Sequence, residues 1–144
     1  ELGGSGKTVA LSFAVPAGWT LRDGSTSGKV TIVHEASGAS FFVARKAEAS
    51  GGLESEFNSL KLALPFVGGR WSKLSDGWRK VGGRRAGEVA AIRAYPNAEP
   101  VKQWDLVVIH RSHAYILEGE VPQSQVDTRW SDLVHIVESV EWQK

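Results

Sequence analysis

Two hairpins in the middle of the chain constrain its fold more than any other feature. "RWSKLSDGWRKV" (residues 70–81) and "RRAGEVAAIRAY" (84–95) read as strands joined at Gly82-Gly83, a pair suited to the positive φ of a two-residue turn. Asp76-Gly77 is a candidate break in the first of them. "QWDLVVIH" (103–110) and "HAYILEGEV" (113–121) form the second hairpin, turning near Arg111-Ser112. Antiparallel strands in succession make a sheet with two faces, and its apolar residues have to be covered from elsewhere in the chain.

The flanking segments supply more strands and the cover. "TVALSFAVP" alternates Val9, Leu11, Phe13 and Val15 with small or polar residues and ends at Pro16. An extended piece around Trp19 to Leu21 and a Gly/Ser/Asp loop follow. "KVTIVHE" and "SFFVARKA" are apolar on both sides, with Val30 and Ile32 against Val33, and Phe41 and Val43 against Phe42 and Ala44. Strands of that kind need a layer on each face. One helix comes from "ASGGLESEFNSLKLALP", where Leu53, Phe57, Leu60 and Leu64 fall on one stripe, Ser50 is placed to cap and Pro65 to terminate. "SQVDTRWSDLVHIVESVEW" gives the other, with Val126, Trp130, Leu133, Val134 and Val137 on its apolar side and Ser124 with Asp127 as a capping pair. Its tail "SVEW" is expected to leave the helix and lie against the sheet. The expectation is an α+β fold, an α/β/α sandwich with a central twisted antiparallel sheet flanked by two main helices.

The opening octet, "ELGGSGKT", raises the question of a phosphate loop. With Gly6-Lys7-Thr8 closing the motif, its first glycine would fall on Glu1, no strand precedes it and a strand rather than a helix follows. Residues 1–7 are therefore read as a flexible lead-in and 8–144 as one domain. The 144 residues suffice for a single core. Cysteine is absent, which removes disulfides and thiolate chemistry, and 17 basic against 16 acidic side chains argue against a general polyanion binder. Methionine is absent as well, which suits an exported or lipid-anchored chain after leader removal slightly better than a cytoplasmic fragment. Six tryptophans serve either a core or an adhesive surface.

The opening strand running into Pro16-Ala17-Gly18-Trp19, a helix between early and middle strands, the long meander, and the ending Ser139-Val140-Glu141-Trp142 resemble the PsbP-like superfamily. That group includes the photosystem oxygen-evolving-complex protein, the Ran-binding Mog protein, DcrB-like domains, mycobacterial PsbP-like lipoproteins and the Eag chaperones of type VI secretion. The resemblance implies a sandwich that binds proteins or small ligands and rarely performs chemistry. It implies no catalytic residue and no cofactor.

Several constellations remain to be weighed. His110 and His113 flank a turn and face the same way, but two imidazoles are half a zinc site, and His34 and His135 lie elsewhere, so no metal is expected. Asp105 and Glu118 face each other across the second hairpin on the side away from those histidines, with Arg93 as the expected salt-bridge partner and a hydrolytic acid pair as the alternative. The basic hairpin holds Arg70, Trp71, Lys73, Trp78, Arg79, Lys80, Arg84 and Arg85 against Asp76, and is the candidate contact surface. It suits a protein partner or an anionic membrane surface better than nucleic acid, in a monomer or a homodimer. A chaperone-like adaptor holding an apolar segment is the alternative within the same fold.

Overall fold

The computed structural model describes residues 2–7, 10–23, 29–49 and 51–144. Among the described residues there are ten strands: β1 (Leu2–Lys7), β2 (Leu11–Pro16), β3 (Thr20–Asp23), β4 (Lys29–His34), β5 (Ala39–Glu48), β6 (Arg70–Val81), β7 (Arg84–Ala94), β8 (Val101–His110), β9 (His113–Pro122) and β10 (Glu141–Trp142). The helices are α1 (Leu53–Ala63) and α2 (Val126–Glu138). Seven strands form one antiparallel sheet in the order β3-β4-β5-β9-β8-β7-β6, and β1-β2-β10 form a second, smaller sheet.

The large sheet has a helix on each face. On one, Leu133, Ile136 and Val137 of α2 and Leu11, Phe13 and Val15 of β2 close over Val30, Ile32, Phe41, Val43, Leu106, Val108 and Leu117. On the other, Phe57 and Leu64 pack on Val89, Val107 and Ala114, with Leu53, Leu60, Trp71 and Ile116 around them. Burying a side chain such as Phe57 contributes about 2–3 kcal/mol. The helices come close because glycine lies under each. A Cβ on Gly119 would stand 2.6 Å from Leu133, and one on Gly87 would overlap the Phe57 ring. The Lys46 ammonium, 3.0 Å from Glu56, ties β5 to α1.

Several expectations are corrected. The lead-in is strand β1, paired with β2 from Leu2↔Pro16 to Lys7↔Ser12 through backbone groups that need no apolar side chain. β6 runs unbroken through Asp76-Gly77, and its irregularity is a bulge between Lys73 and Ser75. Leu64 and Pro65 belong to a 3₁₀ turn, Leu64–Phe66, beyond α1. Ser124 does not cap α2; it sits in a 3₁₀ turn where its N–H donates to Glu99 Oε2 at 2.5 Å. The "SVEW" tail pairs with β2 of the small sheet, Trp142 opposite Leu11, and its indole N–H donates to the Val81 carbonyl at 2.9 Å. Ser50, Thr8 and the 24–28 loop lie outside the described residues. The cover expected over both faces of β4 and β5 is incomplete, since Val33, Phe42 and Ala44 are only half-buried.

Candidate functional site

Register decides where the basic hairpin points. Trp71, Lys73, Asp76, Trp78 and Lys80 pair with Arg93, Ala91, Val89, Gly87 and Arg85, all on the α1 side, because Val89 is under α1. Arg79 pairs with Ala86, which belongs to the opposite core, and Arg70 and Arg84 share that side. Trp71 and Trp78 are seven apart and would face opposite ways on a regular strand; the bulge at Leu74 brings both under α1. Trp71, half-buried, packs against the Phe57 cluster. Trp78 remains 40% exposed, edge-on to Phe57 at 4.9 Å and covered by the Arg85 guanidinium 3.9 Å from its ring centre. Arg79 lies 5.2 Å over Trp104 on the other side, and Lys73 is paired with Asp76 at 2.6 Å. The eight residues therefore do not form one surface. Of the other tryptophans, Trp19 and Trp104 are buried and satisfied by Asp132 and Glu88, each at 2.8 Å.

Sequence reasoning missed an apolar corner beside Arg70. Phe66 is 87% exposed, Val67 70% and Leu62 74%, and Tyr95 stands against Gly69 next to them. A cavity of about 550 Å³ opens there, lined by Gly69, Arg70, Ala94, Tyr95 and Pro96. Arg93 holds the corner from below. Its guanidinium, 1% exposed, donates to the Gly68 carbonyl, to the Leu64 carbonyl at 2.7 Å and to Gln103 Oε1 at 2.9 Å, gripping the chain on either side of Phe66 and Val67. The one legible signal was Leu62, an apolar residue off the buried stripe of α1.

That use of Arg93 leaves the acidic pair without the expected salt bridge. Asp105 and Glu118 are opposite each other in the register, and Asp105 is 1% exposed with Oδ1 unpartnered. Burial, then a hydrogen bond to Glu118 and the Glu118 charge, push the Asp105 carboxyl well above the ordinary range; Arg93 opposes this and Glu120 adds to it. Burial beside Glu118 therefore favours the protonated form of Asp105.

At the other end of the strands a basic cavity surrounds the β8–β9 turn. About 300 Å³ is lined by Ala10, Arg45, His110, Arg111, His113 and Tyr115, and a neighbouring cavity of about 510 Å³ is lined by Gly52, Leu53, Gly83, Arg84, Arg85 and Ile109. His110 pairs with His113 in register, on the side away from Asp105, as the spacing implied. It is 2% exposed, its ring centre lies 5.1 Å from that of Trp142 at a tilt of 33°, and neither ring nitrogen makes a hydrogen bond of ordinary geometry, the Gln143 backbone being its nearest polar neighbour. Burial, then Arg84 and Arg111, hold its pKa below the usual histidine value, against a contribution from the Gln143 backbone. His34 bonds Ser37 Oγ at 2.7 Å and His135 is exposed on α2. Among the described residues no group of three His, Asp or Glu side chains could hold a metal ion.

No protein-family model matches the chain, and no curated protein sequence matches it. Solved structures do. A cyanobacterial PsbP from Synechocystis sp. PCC 6803 superposes with a TM-score of 0.62 at 14% identity, over 92% of this chain and 86% of its own. A variant of the protein Mog1 gives 0.62 at 13%, over 92% and 90%. LpqN of Mycobacterium tuberculosis, described as involved in cell envelope biogenesis, gives 0.62 at 11%, over 93% and 83%. Identities this low carry architecture alone, and the architecture agrees over nine-tenths of the chain: it has the PsbP-like fold.

Proposed function

We propose that this protein is a non-enzymatic binding or accessory protein that contacts a protein partner through the corner of Leu62, Phe66, Val67, Tyr95 and Arg70. One observation carries the reading: Phe66 and Val67, adjacent in sequence, are 87% and 70% exposed, while the buried Arg93 holds the carbonyls of Leu64 and Gly68 on either side of them. Large apolar side chains held rigidly at a surface mark interaction sites. Arg70 at the rim suits a partner that presents an apolar protrusion beside an acidic residue. Asp105 is 1% exposed, which favours a structural role for the pair over hydrolysis. An extracytoplasmic location belongs to the same proposal, supported by the cell-envelope role given for LpqN, and fractionation of the source cells tests it.

The experiment is native mass spectrometry of the protein purified from its source, beside a Phe66→Ser, Val67→Ser variant. The wild type should retain a stoichiometric partner and the variant should lose it with an unchanged melting temperature. Retention by both would refute the reading. The same exposed corner favours one second reading, an adaptor holding an apolar segment of its client, which micromolar binding of a short apolar peptide lost in that variant would select.

A further inference from the structure

We propose that the cavity at the β8–β9 turn is a binding site for a phosphate group. It lies at the opposite end of the strands from the apolar corner, and neither proposal depends on the other. Three parts of the fold converge on it: β5 brings Arg45, the turn brings Arg111, and β8 and β9 bring His110, His113 and Tyr115. Among the described residues no carboxylate is within ion-pair distance of Arg45 or Arg111. Two unpaired guanidinium groups, two imidazoles and a phenol around about 300 Å³ make a positive, donor-rich enclosure. A metal cation would be repelled there. An oxyanion carrying several acceptors would be held, and the planar fork of arginine matches phosphate in pairs of bonds.

Two further features point the same way. Buried polar atoms are ordinarily partnered, and the His110 nitrogens make no hydrogen bond of ordinary geometry; a phosphate oxygen in the cavity it lines would accept one from the ring N–H. The turn itself is also costly as built. Arg111 and Ser112 adopt φ of 51° and 66°, a conformation that Gly82 and Gly83 provide without strain in the other hairpin. The strain places an arginine at the cavity mouth where glycine would make the easier turn.

The phosphate could be free or carried on a lipid headgroup, and the test has an arm for each. In phosphate-free buffer at constant ionic strength, inorganic phosphate is titrated into the full chain and followed by NMR, with chloride as control. Arg45→Gln and Arg111→Asn are compared; both arginines are exposed, and asparagine tolerates the positive φ. The expected result is saturable shifts at His110, Arg111, His113 and Tyr115 with a Kd of about 1 mM or tighter, weakened about tenfold or more by either substitution. Vesicles containing phosphatidic acid are compared with phosphatidylcholine alone by co-sedimentation. Headgroup-dependent binding lost in both variants, without a response to free phosphate, assigns the site to lipid. Shifts matched by chloride, shifts unchanged in the variants, or no response in either arm would overturn the proposal.

Discussion

Replacing Asp105 by asparagine should stabilise this protein, and by an amount that grows with pH. In the fold the carboxyl is buried beside Glu118, and that burial, with the hydrogen bond and charge of Glu118, raises its pKa well above the ordinary aspartate value of about 3.9. In the unfolded chain it ionises near that ordinary value. A raised folded pKa means that the wild type has its full stability below the unfolded pKa and loses it as pH climbs toward the folded pKa, because the native state binds one proton more. The slope is about 1.4 kcal/mol per pH unit, so between pH 5 and 7 the loss reaches at most about 2.8 kcal/mol. Asp105→Asn keeps the shape, keeps an N–H donor for Glu118 and removes the titration. Urea unfolding of both proteins at pH 4, 5, 6 and 7, followed by tryptophan fluorescence, should give curves that diverge in favour of the variant. Parallel curves, or a variant less stable at pH 7, would mean that Asp105 is ionised and held by Arg93, and the assignment of Arg93 to the backbone of the apolar corner would fail.

Arg93→Met should cost about 3–5 kcal/mol, since it leaves Gln103 and the carbonyls of Leu64 and Gly68 without their donor, and should raise hydrogen exchange across residues 64–69; denaturation and exchange measure the two effects. Gly87→Ala should cost about 1–3 kcal/mol by driving a methyl into the Phe57 ring and lifting α1, visible as a lower urea midpoint. Phe66→Ser with Val67→Ser should change stability by no more than about 0.5 kcal/mol, because both side chains are exposed. Trp142→Phe should cost about 1 kcal/mol through the lost bond to the Val81 carbonyl.

The meander was legible because its alternation and its Gly82-Gly83 turn are written in adjacent residues, and the two helices because Leu53, Phe57 and Leu60, and Trp130, Leu133 and Val137, repeat at helical spacing. β1 was not, since Gly3, Gly4 and Gly6 carry no side-chain pattern and the strand is held through its backbone. The Leu74 bulge has no local signal either, and it turns both tryptophans to the α1 side, Trp71 half-buried against the Phe57 cluster and Trp78 exposed beside it. Arg93 was assigned to the nearest predicted charges, whereas its partners are carbonyls in a turn that no periodicity marks. Arg45, Arg84 and Arg111 belong to separate strands and turns, and only the register gathers them at one end.

The apolar corner is proposed to be where a protein partner binds. That contact is tested most directly by placing a photo-reactive amino acid at position 66 in source cells, with position 128 on the exposed side of α2 as the control. A discrete adduct with a different protein from position 66, absent from position 128, is the predicted result. Adducts of the same pattern from both positions, or none from position 66, would contradict it.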